Sequence, residues 1–200
     1  MNNREIKINE IIPNEEYGKH RKNRRKEMIN FKKNRRLDIG PVVSLYFESR
    51  STMLYQIQEM AFVEQISNKE LQIELDSYNP LVPNGKELIA TMMIEIDDPL
   101  RRKNFLSRLG GIEEKVKITI ADSILFAEAE KDIDRTTADG KTSAVHFLHF
   151  KFTNELIEGF KNHKNLIQIG IEHDSYGHLT IVSDEIRKSL VEEFSEFQMQ

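Results

Sequence analysis

The stretch STMLYQIQEMAFVEQIS, residues 51–67, contains no proline or glycine and predicts one continuous helix. Apolar side chains recur on nearly every side of that helix, which is typical of a helix buried in the protein interior. Glutamine and glutamate side chains are set among them, and buried amides and carboxylates need hydrogen-bond partners. We therefore expect this helix either to anchor a polar network inside the fold or to line a binding site.

The segments on either side of this helix predict an α+β fold. A long basic helix is expected over residues 13–37, because Pro13 suits a first helical turn and Gly40-Pro41 ends the pattern. Further helices are predicted at 69–77, 98–109, 154–163 and 184–197. Strands are predicted at 41–49, 88–96, 115–120, 123–130, 142–152, 166–172 and 178–182, with a polar loop at 131–141. Helices mixed with hairpins indicate a mostly antiparallel sheet of about six strands packed with helices, preceded by the basic helix.

Length and charge suggest how the chain is organised. Two hundred residues suffice for a single domain, 1–200, which we divide into a basic helical arm, 1–38, and an α+β body, 39–200. Residues 1–36 carry 12 Lys and Arg against 5 Glu, a net charge of +7. The remaining residues carry 17 Lys and Arg against 28 Asp and Glu, a net charge of −11. A basic arm on an acidic body is a feature that the function has to explain.

Composition excludes several classes of site. The chain has no cysteine, so disulfides, thiolate zinc sites, cysteine-bound iron–sulfur clusters and cysteine nucleophiles are ruled out. Its apolar runs are shorter than the roughly 18 residues that span a membrane. The N-terminal residues lack the apolar core of a signal peptide. We therefore expect a cytoplasmic protein with no membrane association.

Three carboxylates in apolar surroundings suggest a buried polar site. Glu59, Glu74 and Glu95 are each flanked by apolar residues, and with His146 they could form a hard-metal or non-haem iron site. They could equally form buried salt bridges with arginines such as Arg50 or Arg135. Metal ligands, if any, would be Glu59, Glu95 and His146, and the sequence identifies no cofactor. The full predicted site is Gln56, Glu59, Glu74, Tyr78, Asn79, Glu95 and His146.

The two histidines of the sequence HFLH do not form a chelating pair on a flat strand. Side chains three residues apart in a strand point to opposite faces of the sheet. His146 is therefore expected on the face that carries Leu148 and Phe150, and His149 on the other face. His146 alone is the better candidate, because a neighbouring carboxylate could fix its protonation state.

The cations of the basic arm have three possible partners. They could dock onto the acidic body or onto a twin subunit in a homo-oligomer, they could bind nucleic acid, or they could hold an anionic ligand or partner protein. The acidic body would attract the arm and repel a polyanion, so docking is favoured and nucleic acid is the weaker alternative. The candidate residues are Arg21, Arg24, Arg25, Lys32, Arg35 and Arg36.

Several blocks of the sequence resemble a bacterial family known as domain of unknown function family 3501. The blocks occur in the family's order, span nearly the whole chain and read RSTM at 50–53, QIQEM at 56–60, YNPL at 78–81, ATMMIE at 90–95 and TSAVHFL at 142–148. The family has no established activity, so the resemblance assigns no catalytic residues. Its genes are often found beside those for rubrerythrin and for an iron–sulfur protein of the heterodisulfide-reductase type.

The resemblance implies a role near peroxide defence or electron transfer. An iron–sulfur cluster bound by thiolates would have to lie in a partner protein, since this chain has no cysteine. The resemblance thus implies an accessory or binding protein linked to a redox or oxidative-stress system. Two alternatives stay open: a metal-dependent enzyme or metal-binding protein with a buried Glu/His site, and a nucleic-acid binder that uses the basic helix.

Overall fold

The α+β fold predicted from the sequence is confirmed by a computed structural model, which describes residues 4–130 and 141–194. The helices of these residues are α1 (Asn14–Lys33), α2 (Arg50–Glu64), α3 (Asn68–Tyr78), α4 (Pro99–Leu106), α5 (Asn154–Lys161) and α6 (Asp184–Val191). The strands are β1 (Arg36–Ile39), β2 (Val43–Phe47), β3 (Glu87–Ile94), β4 (Val116–Ile120), β5 (Ser123–Phe126), β6 (Glu128–Ala129), β7 (Val145–Lys151), β8 (Ile167–His173) and β9 (Tyr176–Ile181). No helix of the described ranges is both long and apolar enough to cross a membrane.

The strands form two antiparallel sheets instead of one sheet of about six strands. The first sheet has five strands in the order β1-β2-β3-β7-β6, and the second has four in the order β5-β4-β8-β9. The chain passes from the second sheet to the first at Ala127, between β5 and β6. The sequence pattern of residues 123–130 predicted one strand there, because a strand that bends between sheets keeps its alternation on both sides of the bend.

The basic helix ends earlier than predicted, and strand β1 follows it. Helix α1 ends at Lys33, and Leu37 and Ile39 pair with Leu45 and Val43 of β2. Both β1 side chains are buried between exposed neighbours, which is the alternation of a strand. Four residues are too few for such a pattern to stand out beside a long helix.

Two other predicted segments extend beyond the described residues. The predicted polar loop 131–141 lies outside them except for its last residue, and so does Arg135. The predicted C-terminal helix ends as α6 at Val191, and a short 3-10 turn follows over Glu192–Phe194. The remaining residues of that predicted helix, 195–197, lie outside the described ranges.

The larger hydrophobic core lies between the two sheets. Leu45, Met92 and Phe150 of the first sheet and Ile118 and Ile169 of the second are all fully buried in it. These residues alternate along their strands with residues that face away from the core, as a half-buried strand requires. Burial at this level is the main favourable contribution to folding.

A second hydrophobic cluster covers the outer face of the first sheet. Helix α2 packs Met53 and Ile57 against Ile89 of β3, and Leu75 of α3 and Ile6 of the N-terminal segment complete the cluster. The prediction that α2 is buried therefore holds for one side of the helix. Another side of α2 faces α1, and this side defines the site described below.

Replacing Gly40 with alanine is expected to lower the free energy of unfolding by about 1–2 kcal/mol. Gly40 connects β1 to β2 with φ of 71°, and an added Cβ would lie 2.5 Å from Cγ of His178 and 2.7 Å from Oη of Tyr176. Gly111 is the matched control, because its φ is 78° but an added Cβ there has nothing within 4 Å. Urea unfolding of the two alanine variants should show the larger loss at Gly40. An equal loss would mean that the contacts with His178 and Tyr176 contribute nothing.

Candidate binding site between helices α1 and α2

The N-terminal half of α1 packs closely against the C-terminal half of α2. The ring of Tyr17 lies edge-on to Phe62, with the centroids 5.6 Å apart. The next residue, Gly18, has no side chain, and an added Cβ would lie only 3.2 Å from the Phe62 ring. Of the twenty residues of α1, Tyr17 alone is buried. The packing that holds this helix is therefore concentrated near its N-terminal end.

The two helices leave an open cleft beside this contact. The cleft has a volume of about 390 Å³, which lies within the range of small ligand-binding sites. Aromatic and aliphatic side chains from both helices line it together with a few polar groups. The lining residues are Glu10, Tyr17, Arg24, Glu27, Met28, Phe31, Ser51, Leu54, Tyr55 and Gln58.

An ion pair holds the two helices together at one end of the cleft. Nη2 of Arg21 donates to Oε2 of Glu59 at 2.8 Å, and Tyr17 Oη donates to Oε1 of the same carboxylate at 2.6 Å. The Arg21 hydrogen bond holds the pKa of Glu59 below its usual range, with a smaller contribution from Tyr17. Burial and the Glu59 carboxylate together raise the pKa of Tyr17. Glu59 is thus a fixed, ionised acceptor.

The N-terminal segment forms another wall of the cleft. The Gln58 side chain makes two hydrogen bonds to the backbone of Ile12, accepting from the N–H at 2.8 Å and donating to the carbonyl at 2.9 Å. Glu10 accepts hydrogen bonds from Arg50 at 2.5 and 2.6 Å. Burial raises the pKa of Glu10, but the contacts with Arg50 and Lys7 lower it more, so the carboxyl stays below its usual range. The charge of Glu10 is therefore already balanced.

Arg24 lines the cleft, Arg25 and Lys32 follow it on α1, and within the described residues none of the three has a carboxylate partner. Arg24 lies over the face of the Tyr17 ring, 5.9 Å from its centroid. Arg24, Arg25 and Lys32 form no ion pair with any residue of the described ranges 4–130 and 141–194. The rim of the cleft therefore carries positive charge that nothing in these ranges neutralises by direct contact.

The other three predicted cations of the basic arm contact the body of the protein. Arg21 binds Glu59 as described, and Nη2 of Arg35 lies 2.6 Å from Oε1 of the buried Glu193. Nη2 of Arg36 lies 3.0 Å from Oε2 of Glu95. The arm is thus anchored at both ends, and its free cations lie between the two anchors.

The predicted buried polar site is divided among several places. Gln56 of α2 lies close to Tyr78 of α3, as does Glu74. Burial and the Glu74 charge raise the pKa of Tyr78, and the Gln56 contact opposes them. Asn79 accepts from the N–H of Ile6 at 2.8 Å and donates to its carbonyl at 3.0 Å.

Glu95 and His146 lie on opposite faces of the first sheet. Glu95 is on the outer face, where Ser44 Oγ and Tyr46 Oη lie 2.6 and 3.1 Å from its carboxylate oxygens. His146 is buried on the inner face, and its Nδ1 lies 3.8 Å from Oε2 of Glu113. The structure therefore does not bring Glu59, Glu95 and His146 together. Within the described residues no group of three or more His, Asp or Glu side chains could hold a metal ion.

The opposite orientation of the two histidines is confirmed. His146 is buried in β7, and its Nε2 lies 3.0 Å from Oγ1 of Thr142. His149 is on the other face, where its Nδ1 lies 3.2 Å from Oε2 of Glu87. The carboxylates that approach the two rings in the described residues, Glu113 and Glu87, were not among the predicted residues.

Comparison with known proteins places the chain in a family. Residues 5–194 match the family model described as "Protein of unknown function (DUF3501)". The chain belongs to the DUF3501 family. The resemblance seen in the sequence blocks is thereby confirmed. No curated protein matches this DUF3501 chain.

A solved structure shares the DUF3501 fold described here. It is the 1.90 Å crystal structure of a novel protein of unknown function from Burkholderia pseudomallei K96243. The two proteins are 34% identical, the match covers 96% of this chain and 100% of the other, and the TM-score is 0.88.

The residues that line the cleft of this DUF3501 protein were only partly predicted. Arg24 was named as a candidate cation, whereas Met28, Phe31, Leu54 and Tyr55 were not assigned to any site. The available signal was the presence of Met28 and Phe31 on an otherwise strongly charged helix. Apolar residues on an otherwise charged helix had no assigned partner in the sequence, which is typical of a helix that packs along only part of its length.

Replacing Arg21 with alanine is expected to raise the pKa of Glu59 toward its ordinary value. Because Arg21 lowers this pKa in the folded protein, ionised Glu59 contributes stability above its unfolded-state pKa. That contribution is lost as the pH falls through the folded-state pKa, so the wild type should lose more stability on acidification than the variant. Carboxyl NMR titration and urea unfolding between neutral and acidic pH measure both effects. An unchanged Glu59 titration would show that the ion pair does not form in solution.

Proposed function

We propose that this DUF3501 protein is an accessory binding protein that holds an acidic partner protein against α1 and the cleft. The observation that supports this proposal is an apolar cleft bordered by cations that make no ion pair with the described residues. Positive charge at the rim of an interface steers an acidic partner and orients it, while apolar contacts supply most of the binding energy. The cleft provides both kinds of contact on neighbouring side chains.

We further propose that the partner belongs to a redox or oxidative-stress system in the cytoplasm. The family's gene neighbours, rubrerythrin and an iron–sulfur protein of the heterodisulfide-reductase type, support this choice. The iron–sulfur cluster would be bound by the partner, because this chain has no cysteine to supply thiolate ligands. The DUF3501 protein would then position or protect its partner.

Two features favour a protein partner over a nucleic acid. Three of the six predicted cations are already paired with Glu59, Glu193, Asp38 or Glu95. Residues beyond the arm carry a net charge of −11, which would repel a polyanion that approached the body. The metal alternative gains no support, because Glu59, Glu95 and His146 are held at separate places.

Reversing the charge of Arg24 and Arg25 together is expected to weaken binding of the neighbouring-gene iron–sulfur protein about tenfold, mainly through slower association. Both side chains are exposed on α1, so the substitutions Arg24→Glu and Arg25→Glu should leave the fold intact. Isothermal titration calorimetry and stopped-flow association rates at two salt concentrations measure the effect. Binding of the wild type should also weaken with salt, because exposed charges are screened.

The matched control is the pair Lys164→Glu and Lys188→Glu. These lysines are also exposed and give the same change in net charge, but they lie outside α1 and the cleft. If α1 binds the partner, the control variant should bind the iron–sulfur protein with the same Kd as the wild type. Equal weakening by both pairs would show that only overall charge matters, and no weakening by either would contradict the proposal.

A further inference from the structure

The side chains of α1 that face α2 and the cleft repeat with the spacing of a coiled-coil seam. Tyr17, Arg21, Arg24, Met28 and Phe31 are separated by four, three, four and three residues, so they lie along one stripe of the helix. Such a stripe is complementary to another helix, whose side chains recur at the same intervals. A strand, with its period of two residues, would match only part of it.

Helix α2 covers only the first half of this seam. Tyr17 packs on Phe62, and Arg21 binds Glu59. The second half, formed by Arg24, Met28 and Phe31, faces the cleft instead. On the α2 side the same cleft is lined by Leu54 and Tyr55. Two helices therefore present apolar side chains to a space that no described element fills.

The charges around the open half of the seam select the kind of helix that fits. Arg24 lies within the seam and lines the cleft, and Arg25 and Lys32 follow one side of the seam. Glu27 lies on the other side of the seam and also lines the cleft, so the positive charge is concentrated on the side of Arg25 and Lys32. None of the three cations forms an ion pair with a residue in the described ranges. An incoming helix would therefore bring Asp or Glu next to its apolar residues, because opposite charges across an interface fix register and exclude wrong partners.

We infer that the cleft is the docking groove for a short acidic amphipathic helix of the partner protein. The inference rests on the proposed function and specifies which part of the partner is bound. A volume of about 390 Å³ accommodates the anchoring side chains of such a helix, while its backbone lies outside, between α1 and α2. This arrangement is the helix-in-groove mode of recognition, in which residues at i, i+3, i+4 and i+7 enter the groove.

Peptide display on the full-length protein tests the inference. One library contains 16-residue peptides built from helix-forming residues, and a second has proline at every third position and cannot form a helix. Bound peptides are then compared on the wild type, on Tyr55→Ala and on the Arg24→Glu/Arg25→Glu variant. We expect enrichment from the helical library alone, of acidic sequences with apolar residues three and four positions apart. We also expect at least tenfold weaker binding to both variants.

Each of the other results overturns a defined part of the inference. Equal enrichment of acidic peptides from the proline library, or enrichment from neither library, overturns the helical partner. Neither of these two results decides whether the iron–sulfur protein binds, because the calorimetric titration measures that binding separately. Enrichment of helical peptides that are neutral or basic, or that bind the two variants as well as the wild type, overturns both the helical partner and the acidic-partner proposal.

Discussion

Replacing Arg35 with methionine is expected to lower the free energy of unfolding by about 3–5 kcal/mol, the largest change that we predict. The Arg35 side chain is only 1% exposed, and its ion pair with Glu193 at 2.6 Å is buried as well. The guanidinium also donates to the carbonyl groups of Phe47, Glu48 and Ser189. Removing it leaves these acceptors and a buried carboxylate without their main donor, which costs more than the ion pair itself contributes.

Glu193 is the group that makes this substitution costly. Burial raises the pKa of the Glu193 carboxyl, and the guanidinium groups of Arg35 and Arg4 only partly oppose that effect. Arg4 lies farther away, with its Nη1 3.5 Å from Oε2 of Glu193. In the Arg35→Met variant the carboxyl would have to stay charged with one weaker partner or take up a proton.

Urea unfolding at neutral pH with two companion variants isolates the buried ion pair. Arg36→Met removes the next arginine, whose side chain is 44% exposed, and should cost less than about 1 kcal/mol. The double variant Arg35→Met/Glu193→Met should recover part of the loss, because no unpaired carboxylate remains. If Arg35→Met costs as little stability as Arg36→Met, the buried ion pair between Arg35 and Glu193 does not stabilise the fold.

The second large effect is expected at Tyr55, where alanine should weaken binding of the iron–sulfur partner about 30-fold. Tyr55 lines the cleft beside Leu54, opposite Met28 and Phe31. Truncation of a buried tyrosine at the centre of an interface often costs about 2 kcal/mol, which corresponds to about a 30-fold change in Kd. The substitution changes no charge at neutral pH, so it reports on apolar contacts separately from the effect of Arg24 and Arg25.

Tyr46 provides the matched control for this experiment. It is also a partly buried tyrosine, and its hydroxyl donates to Oε1 of Glu95 on the outer face of the first sheet, away from the cleft lining. Titration calorimetry should give a Kd for Tyr46→Ala within a factor of about two of the wild type. If the two alanine variants bind equally well, the cleft does not contact the partner.

The elements around the cleft were largely predictable from local patterns. Helix α2 was expected from its uninterrupted apolar pattern, and the structure gives it the bounds Arg50–Glu64. The same pattern indicated that its polar residues need partners, which Glu59 finds in Tyr17 and Arg21. Local periodicity is informative here because the helix is long and its apolar positions are many.

Other features could not be read from the sequence, because they depend on residues that are distant along the chain. Arg35 and Glu193 are 158 positions apart, and no local pattern connects them. Glu95 was expected in apolar surroundings because it follows the apolar strand β3. It lies one residue beyond that strand, with its side chain 41% exposed. Residues on one strand can differ in burial when a helix covers only part of the sheet face.

NMR chemical-shift mapping of the labelled protein, titrated with the neighbouring-gene iron–sulfur protein, tests the binding cleft most directly. We predict that the largest changes occur at Met28, Phe31, Leu54 and Tyr55, with smaller changes along the cations of α1. The outer face of the second sheet offers a competing apolar surface, on which Ile124, Phe126, Leu179 and Ile181 are each more than half exposed. Changes centred on those four residues, with none in the cleft, would contradict the binding site between α1 and α2.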